Sequence, residues 1–123
     1  TCSLRVIGGG EKSLRVEVRP PAADANPYLV MAAALASGLA GIRDRIDPGP
    51  MLRGNAYDSQ PPEALRFPNS LAEAAARLRG SDMAREWFGD AFVEHFATSR
   101  EAEVAAQRAT VSDWELNRYF EMI

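Results

Sequence analysis

The stretch Arg15-Val16-Glu17-Val18-Arg19 is followed, after six residues, by Asn26-Pro27-Tyr28-Leu29. Apolar and charged residues alternate in the first segment, so its valines point to one face of a predicted strand and its charged residues to the other. A carboxylate between guanidinium groups can hold a divalent cation beside an anionic ligand, because Arg matches phosphate or carboxylate oxygens and Glu supplies a hard oxygen to Mg²⁺ or Mn²⁺. The same alternation is also typical of a solvated strand face with cross-strand ion pairs.

A second predicted strand lies just before this one. The segments at about 4–7 and 14–19 are separated by Gly8-Gly9-Gly10-Glu11-Lys12, which predicts an antiparallel hairpin. Pairing of the two strands would bring Arg5 near the charged face that carries Glu17. The three glycines lack the Lys-Ser/Thr pair and the following helix of a phosphate-binding P-loop, so we interpret them as a turn.

The rest of the chain is predicted to be mainly helical. Pro20-Pro21 ends the second strand, and Asn26 as N-cap with Pro27 at the first helical position starts a helix that reaches about Arg43 or Arg45. This helix is apolar on all sides and is therefore expected to be buried. Residues 47–69 are predicted to form an irregular, proline-containing excursion of unassigned role.

Three further helices are predicted from capping signals. They begin near Ser70, near Ser81 or Asp82, and near Ser112; the first and third of these starts are capping boxes. The second helix is expected to run to about Arg108, with core-facing aromatic residues at Phe88, Phe92 and Phe96. The predicted fold class is α+β, with a short antiparallel strand pair followed by four to five helices.

Composition limits the function classes. The chain has 123 residues, 46% hydrophobic and 25% charged, which is ordinary for a soluble domain. Its net charge of −3 argues against non-specific nucleic-acid binding. The apolar run 28–42 gives a helix of about 22 Å at ~1.5 Å per residue, too short for a ~30 Å bilayer core, so no membrane is expected as a partner.

Single cysteine and histidine residues also limit the chemistry. Cys2 is the one cysteine, which excludes an internal disulfide and fits a reducing, cytoplasmic location. His95 is the one histidine, and a lone His without neighbouring ligands does not make a metal site. The acidic residues Glu101 and Glu103 are interpreted as part of a solvated helix face.

Taken together, these segments resemble the C-terminal part of the glutamine synthetase catalytic domain. The family pattern is R-[IV]-E-x-R, six residues, N-P-Y-L, an Ala-rich helix and G-L-x-G-I, which this chain has as Gly38-Leu39-Ala40-Gly41-Ile42. Three downstream segments are similar to the bacterial branch that includes gamma-glutamylmethylamide and gamma-glutamylpolyamine synthetases: 54–57, 88–96 and 113–120. The resemblance covers residues 1–123, but only about the last quarter of a family member.

The resemblance implies an ATP-dependent ligase that joins glutamate to ammonia or an amine through a gamma-glutamyl phosphate. It implies that Glu17 binds Mg²⁺ or Mn²⁺ and that Arg19 has the catalytic role of binding the glutamate carboxylate or the transferring phosphoryl group. Arg5 and Arg15 would contact the phosphates of ATP. Family members form rings with active sites between subunits, so the resemblance also implies a homo-oligomer.

The resemblance also predicts what this portion lacks. The other metal ligands, the Gly-rich ATP signature and the ammonia-site Asp lie upstream of it in the family. We therefore expect a fragment of a longer polypeptide that is inactive in isolation and exposes apolar surface. Two alternatives stay open from the sequence: a stand-alone, non-catalytic binding or assembly module derived from this fold, and a choice among several amines as acceptor.

Overall fold

The computed structural model describes residues 3–52, 54–59 and 61–122, so Cys2 lies outside the described residues. The chain divides into two units, Thr1–Leu65 and Arg66–Ile123. The first unit contains β1 (Leu4–Ile7), β2 (Arg15–Val18), α1 (Pro27–Arg43) and two short 3₁₀ turns. The second unit contains α2 (Leu71–Arg79), α3 (Asp82–Phe88), α4 (Asp90–Arg108) and α5 (Asp113–Tyr119). The predicted α+β class is confirmed.

The predicted hairpin is confirmed, and its register is defined. Strands β1 and β2 pair in antiparallel orientation, with Arg5 opposite Glu17 and Val6 opposite Val16. The backbone N–H of Arg19 donates to the Ser3 carbonyl at 2.9 Å, which extends the pairing beyond β2. Because directly opposed residues share a face, one face of the sheet carries the charged side chains together with Ile7, and the other is apolar.

Helix α1 begins as the sequence predicts. The Asn26 Oδ1 atom accepts hydrogen bonds from the N–H groups of Tyr28 and Leu29, at 3.0 and 3.4 Å, and Pro27 occupies the first helical position. The prediction that this helix is buried on most sides is wrong. Only Ala36 and Ala40 are buried in α1, and most of its large apolar side chains are exposed. The expected exposure of apolar surface is thereby confirmed.

The second unit has a small core of its own. Helices α2 and α3 both pack against α4. Ala75 on α2, Ala84 on α3, and Val93 and Ala97 on α4 are the buried residues of these helices, and such small side chains allow helices to approach closely. Ser70 and Ser81 cap α2 and α3 through hydrogen bonds from backbone N–H groups.

The single long helix predicted to carry the aromatic stripe is divided in two. Gly89 has φ +82° and ψ 151°, a conformation that glycine adopts readily and that ends α3 before α4 begins. The aromatic contacts nevertheless continue across the break. The ring centroids of Phe88 and Phe92 lie 5.5 Å apart, and those of Phe92 and Phe96 lie 5.6 Å apart.

The last helix, α5, begins with the predicted capping box. The Ser112 hydroxyl accepts the Glu115 N–H at 3.2 Å, and the Glu115 carboxylate accepts the Ser112 N–H at 2.8 Å. Trp114 and Tyr119 meet edge to face with their ring centroids 5.9 Å apart. Across the described residues, no helix is both long and apolar enough to cross a membrane.

Candidate functional site

The charged face of the hairpin places one carboxylate between two guanidinium groups. Arg5 Nη1 lies 3.7 Å from Glu17 Oε2, and Arg19 Nη1 lies 3.8 Å from Glu17 Oε1. Both distances exceed a normal hydrogen bond, so these are loose ion pairs in which each carboxylate oxygen faces a different cation. The Glu17 side chain is 41% exposed, which leaves it accessible to a ligand.

The backbone of the hairpin produces this arrangement. The register sets Arg5 directly opposite Glu17, where side chains on one face are within contact distance. Arg19 lies two residues beyond Glu17 and therefore on the same face, since the strand period is two. The hydrogen bond from the Arg19 N–H to the Ser3 carbonyl keeps this end of the strand paired.

Arg15 shares the charged face but has a different partner. Its Nη1 atom donates to the Ser13 carbonyl at 3.2 Å, toward the turn. The sequence pattern suggested that Arg15 and Arg19 flank Glu17, whereas the structure has Arg5 and Arg19 on either side of it. The expectation that strand pairing brings Arg5 to this face is confirmed.

The charge of this face favours an anionic ligand. Three arginines, Arg5, Arg15 and Arg19, share this face with one glutamate, which gives it a local formal charge of +2 in a chain whose net charge is −3. Guanidinium groups bind phosphate and carboxylate oxygens through charge-assisted, often bidentate, hydrogen bonds. An exposed cluster of this size suits a small anion.

The described residues do not complete a metal site around Glu17. Within the described ranges there is no group of three or more His, Cys, Asp and Glu side chains that could hold a metal ion. Mg²⁺ is held in proteins by one or two carboxylates together with waters and substrate phosphates. Glu17 can therefore supply one oxygen ligand. Among the described residues, His95, which is exposed on α4, belongs to no such group.

A second charge cluster, in the helical unit, has a structural role. Arg79 Nε donates to Glu94 at 3.1 Å, and its guanidinium also binds Glu101 and Thr98. Arg85 binds Glu94 and donates to the Arg79 carbonyl at 2.7 and 2.9 Å, at the C-terminal end of α2. These contacts join α2 and α3 to α4. Glu101 is partly exposed on its helix face, and it also binds Arg79.

The contacts of this helical cluster also shift the pKa values of Glu94 and Arg85. The hydrogen bond from Arg85 is the largest cause that lowers the pKa of Glu94 below its ordinary value of 4.5, with further lowering by the charges of Arg85 and Arg79. The same hydrogen bond to Glu94, followed by one to Asp90, raises the pKa of Arg85. Both groups are therefore charged at neutral pH, which fits a role in joining helices.

Comparison with known proteins gives consistent matches along the whole chain. Residues 1–119 match the sequence family described as glutamine synthetase, catalytic domain. The chain is 45% identical over 123 residues to a glutamate–isopropylamine ligase of a Pseudomonas species, covering 100% of this chain and 27% of that protein. It is 43% identical over 121 residues to a gamma-glutamylethanolamide synthetase of Streptomyces coelicolor, covering 98% and 25%.

A relative of lower sequence identity is named glutamine synthetase. The glutamine synthetase of Halobacterium salinarum is 33% identical over 123 residues, with 96% of this chain and 27% of that protein covered. The chain thus spans about a quarter of the length of the curated relatives it matches.

Proposed function

The chain belongs to the glutamine synthetase catalytic-domain family, and on this premise we propose that its Arg5–Glu17–Arg19 face forms part of the active site of an ATP-dependent glutamate–amine ligase. The observation that carries the proposal is the placement of Glu17 between two guanidinium groups on one exposed strand face. Ligation through a gamma-glutamyl phosphate needs positive charge around a transferring phosphoryl group, and this face has it.

The proposed roles follow from the position of each side chain. Arg19, whose guanidinium faces Glu17 Oε1, would bind the glutamate carboxylate or the phosphoryl group in transfer. Arg5, on the neighbouring strand, and Arg15, at the turn end of the same face, would contact the phosphates of ATP. Arginine suits all three positions because its planar fork presents several donors in fixed geometry.

Glu17 would act as one ligand of Mg²⁺ or Mn²⁺, the ion that neutralises phosphate charge during transfer. Its oxygens lie outside hydrogen-bond distance of Arg5 and Arg19, so they are free to accept a further partner. A single carboxylate does not hold Mg²⁺ tightly by itself, and the described residues offer no complete metal cluster. The isolated chain is therefore expected to be catalytically silent.

The acceptor is proposed to be an amine larger than ammonia. Identity is 45% and 43% to relatives named for isopropylamine and ethanolamide, and 40% and 33% to relatives named glutamine synthetase. The enzyme is further proposed to be a cytoplasmic homo-oligomer. In support, both faces of the hairpin are accessible, and many large apolar side chains are exposed in the described residues.

The test is an assay of the native polypeptide that carries this sequence, purified from its source cells. ATP, glutamate and Mg²⁺ are supplied with ammonia, isopropylamine or ethanolamine, and phosphate release and amide formation are measured together. We expect both products, in equal amounts, with an alkyl or hydroxyalkyl amine. Absence of amide with every amine, in a polypeptide whose intact mass stays at 13.4 kDa, would instead support a binding or assembly module.

A further inference from the structure

We propose that Val6 and Val16, on the face opposite the charged one, are positioning residues that keep Arg5 opposite Glu17. This inference rests on the proposed function, since it concerns the same strand face. The two valines lie on the other face of the sheet from these charged side chains. They act through the register of the two strands, which decides which side chains meet on the other face.

The ladder places this apolar pair next to the charged pair. Val6 lies opposite Val16, one step along from Arg5 opposite Glu17, and Leu4 opposite Val18 lies one step on the other side. The charged pair is thus flanked along the ladder by two apolar pairs that project to the opposite face. A one-residue slip would set Arg5 across from Val16 or Val18 and would remove Glu17 from its position between two cations.

The turn does not fix this register by itself. Residues 8–14 connect the strands, which is much longer than the two-residue turns that determine hairpin register. Within this turn, the backbone N–H groups of Ser13 and Leu14 donate to the Gly10 carbonyl, at 2.9 and 3.1 Å. Both hydrogen bonds lie toward the β2 end of the connection. Within the described residues, side-chain pairs across the ladder therefore contribute to specifying the alignment.

The strands are short enough for a single pair to matter. Each has four residues, and a two-stranded hairpin of this size is marginally stable in water. Aliphatic pairs that are directly opposed are the units that stabilise such a ladder. Val6 and Val16 are each 59% exposed in this chain, and each lies directly opposite the other in the ladder.

The first experiment compares Val6→Ala/Val16→Ala with Leu14→Ala in the native polypeptide. Leu14 is 65% exposed and lies two residues before Val16, just outside β2. It is therefore a matched control: an exposed apolar residue next to the strand that takes no part in the pairing. Because small displacements of catalytic groups are costly, we expect the double variant to lose about tenfold in kcat/KM and the control to change by less than about twofold. Equal losses in both variants would overturn the proposal, since they would reflect only lost apolar surface.

The second experiment restores the register covalently. The bond from the Arg19 N–H to the Ser3 carbonyl identifies Ser3–Arg19 as a hydrogen-bonded pair, so alternation makes Val6–Val16 a non-hydrogen-bonded pair. Such a pair has a Cα–Cα distance of about 4.5 Å, within the range of about 4.4–6.8 Å that a disulfide spans. Val6→Cys/Val16→Cys, made together with Cys2→Ser, can therefore be locked in register.

We expect the oxidised Val6→Cys/Val16→Cys variant to keep near-normal kcat/KM and the reduced form to lose about fivefold, reversibly, because alignment of the charged groups is what the pair supplies. A purely structural role of the two valines would not make activity follow the redox state of this pair. Equal activity of the oxidised and reduced forms would contradict the proposal.

A structural measurement that does not depend on catalytic activity separates this inference from the proposed function. In the 123-residue chain, cross-strand Hα–Hα nuclear Overhauser effects between residues 6 and 16 report the register directly. We expect them in the wild type and expect their loss in Val6→Ala/Val16→Ala, with retention in Leu14→Ala. Their retention in the double variant would overturn the positioning role, whatever the native polypeptide is found to catalyse.

Discussion

Arg5 and Glu17 occupy directly opposed positions of the two-stranded ladder, with Arg5 Nη1 3.7 Å from Glu17 Oε2. The separation is too long for a hydrogen bond, so the pair is held by backbone register and long-range attraction. Both side chains are about half exposed, and solvent weakens the attraction. The pair is therefore better suited to receive a ligand than to stabilise the hairpin.

Replacement of Arg19 by Lys tests whether its planar guanidinium matters. Lysine keeps the charge but loses the fork that binds two oxygens at once, so we expect the KM for glutamate in the native polypeptide to rise about tenfold. Arg45→Lys, in the segment after α1, is the charge-matched control and should leave KM unchanged. If Arg19→Lys behaves like this control, Arg19 does not bind the substrate carboxylate or the phosphoryl group.

Glu94→Gln tests the charge cluster of the helical unit. The hydrogen bond from Arg85 lowers the pKa of Glu94, so the ionised form is favoured in the folded state. The resulting stabilisation is complete above the ordinary value of 4.5 and is lost as pH falls through the lowered pKa. We expect Glu94→Gln to lower the thermal midpoint at pH 7 by about 1–3 °C, since exposed pairs contribute little.

The pH dependence of the difference in thermal midpoint between Glu94→Gln and wild type checks the ion-pair explanation. Glu94 faces Arg79 and Arg85, and Asp90 and Glu101 bind the same arginines, so all four neighbours are kept unchanged. The difference between Glu94→Gln and wild type should shrink as the pH falls well below 4.5. Glu103→Gln, on the same helix, is the charge-matched control. A difference for Glu94→Gln that is constant from neutral to acidic pH would rule out the ion-pair explanation.

Val93→Ala tests the core of the helical unit. Val93 has no exposed surface, and the other buried residues of this unit are alanines, whose side chains have no rotamers with which to fill a cavity. Removal of two buried methyl groups should lower the free energy of unfolding by about 2 kcal/mol, measured by urea denaturation monitored at 222 nm. Val111→Ala, whose side chain is 65% exposed, should change it by less than about 0.5 kcal/mol. Comparable losses would mean that Val93 is not a core residue.

Local chemistry made several elements predictable from sequence. The Asn26-Pro27 pair specified the start of α1 through an N-cap and a fixed φ, and Ser112 with Glu115 specified the start of α5. The alternation around Glu17 predicted the charged strand face. Each of these features depends on residues within four positions of one another, so no knowledge of the rest of the fold was needed.

Other features depend on distant parts of the chain or on side-chain rotamers. The break at Gly89 was hidden because the aromatic spacing continues through it. Arg79 binds Glu94 and Glu101 across fifteen and twenty-two positions, which no local pattern reveals. The side chain of Arg15 turns toward the Ser13 carbonyl by a choice of rotamer. The exposure of α1 could not be read from its composition, because an apolar helix indicates a covering partner without identifying it.

The most direct measurement is the rate of ATP-dependent amide formation by the native polypeptide with Glu17→Ala, beside wild type and Glu11→Ala. Glu11 lies in the turn, outside both strands, and is the carboxylate-matched control. If Glu17 holds the metal between Arg5 and Arg19, its removal should lower kcat by about 10³-fold or more while Glu11→Ala stays near wild type. Near-normal turnover by Glu17→Ala would show that this strand face is not the phosphoryl-transfer site.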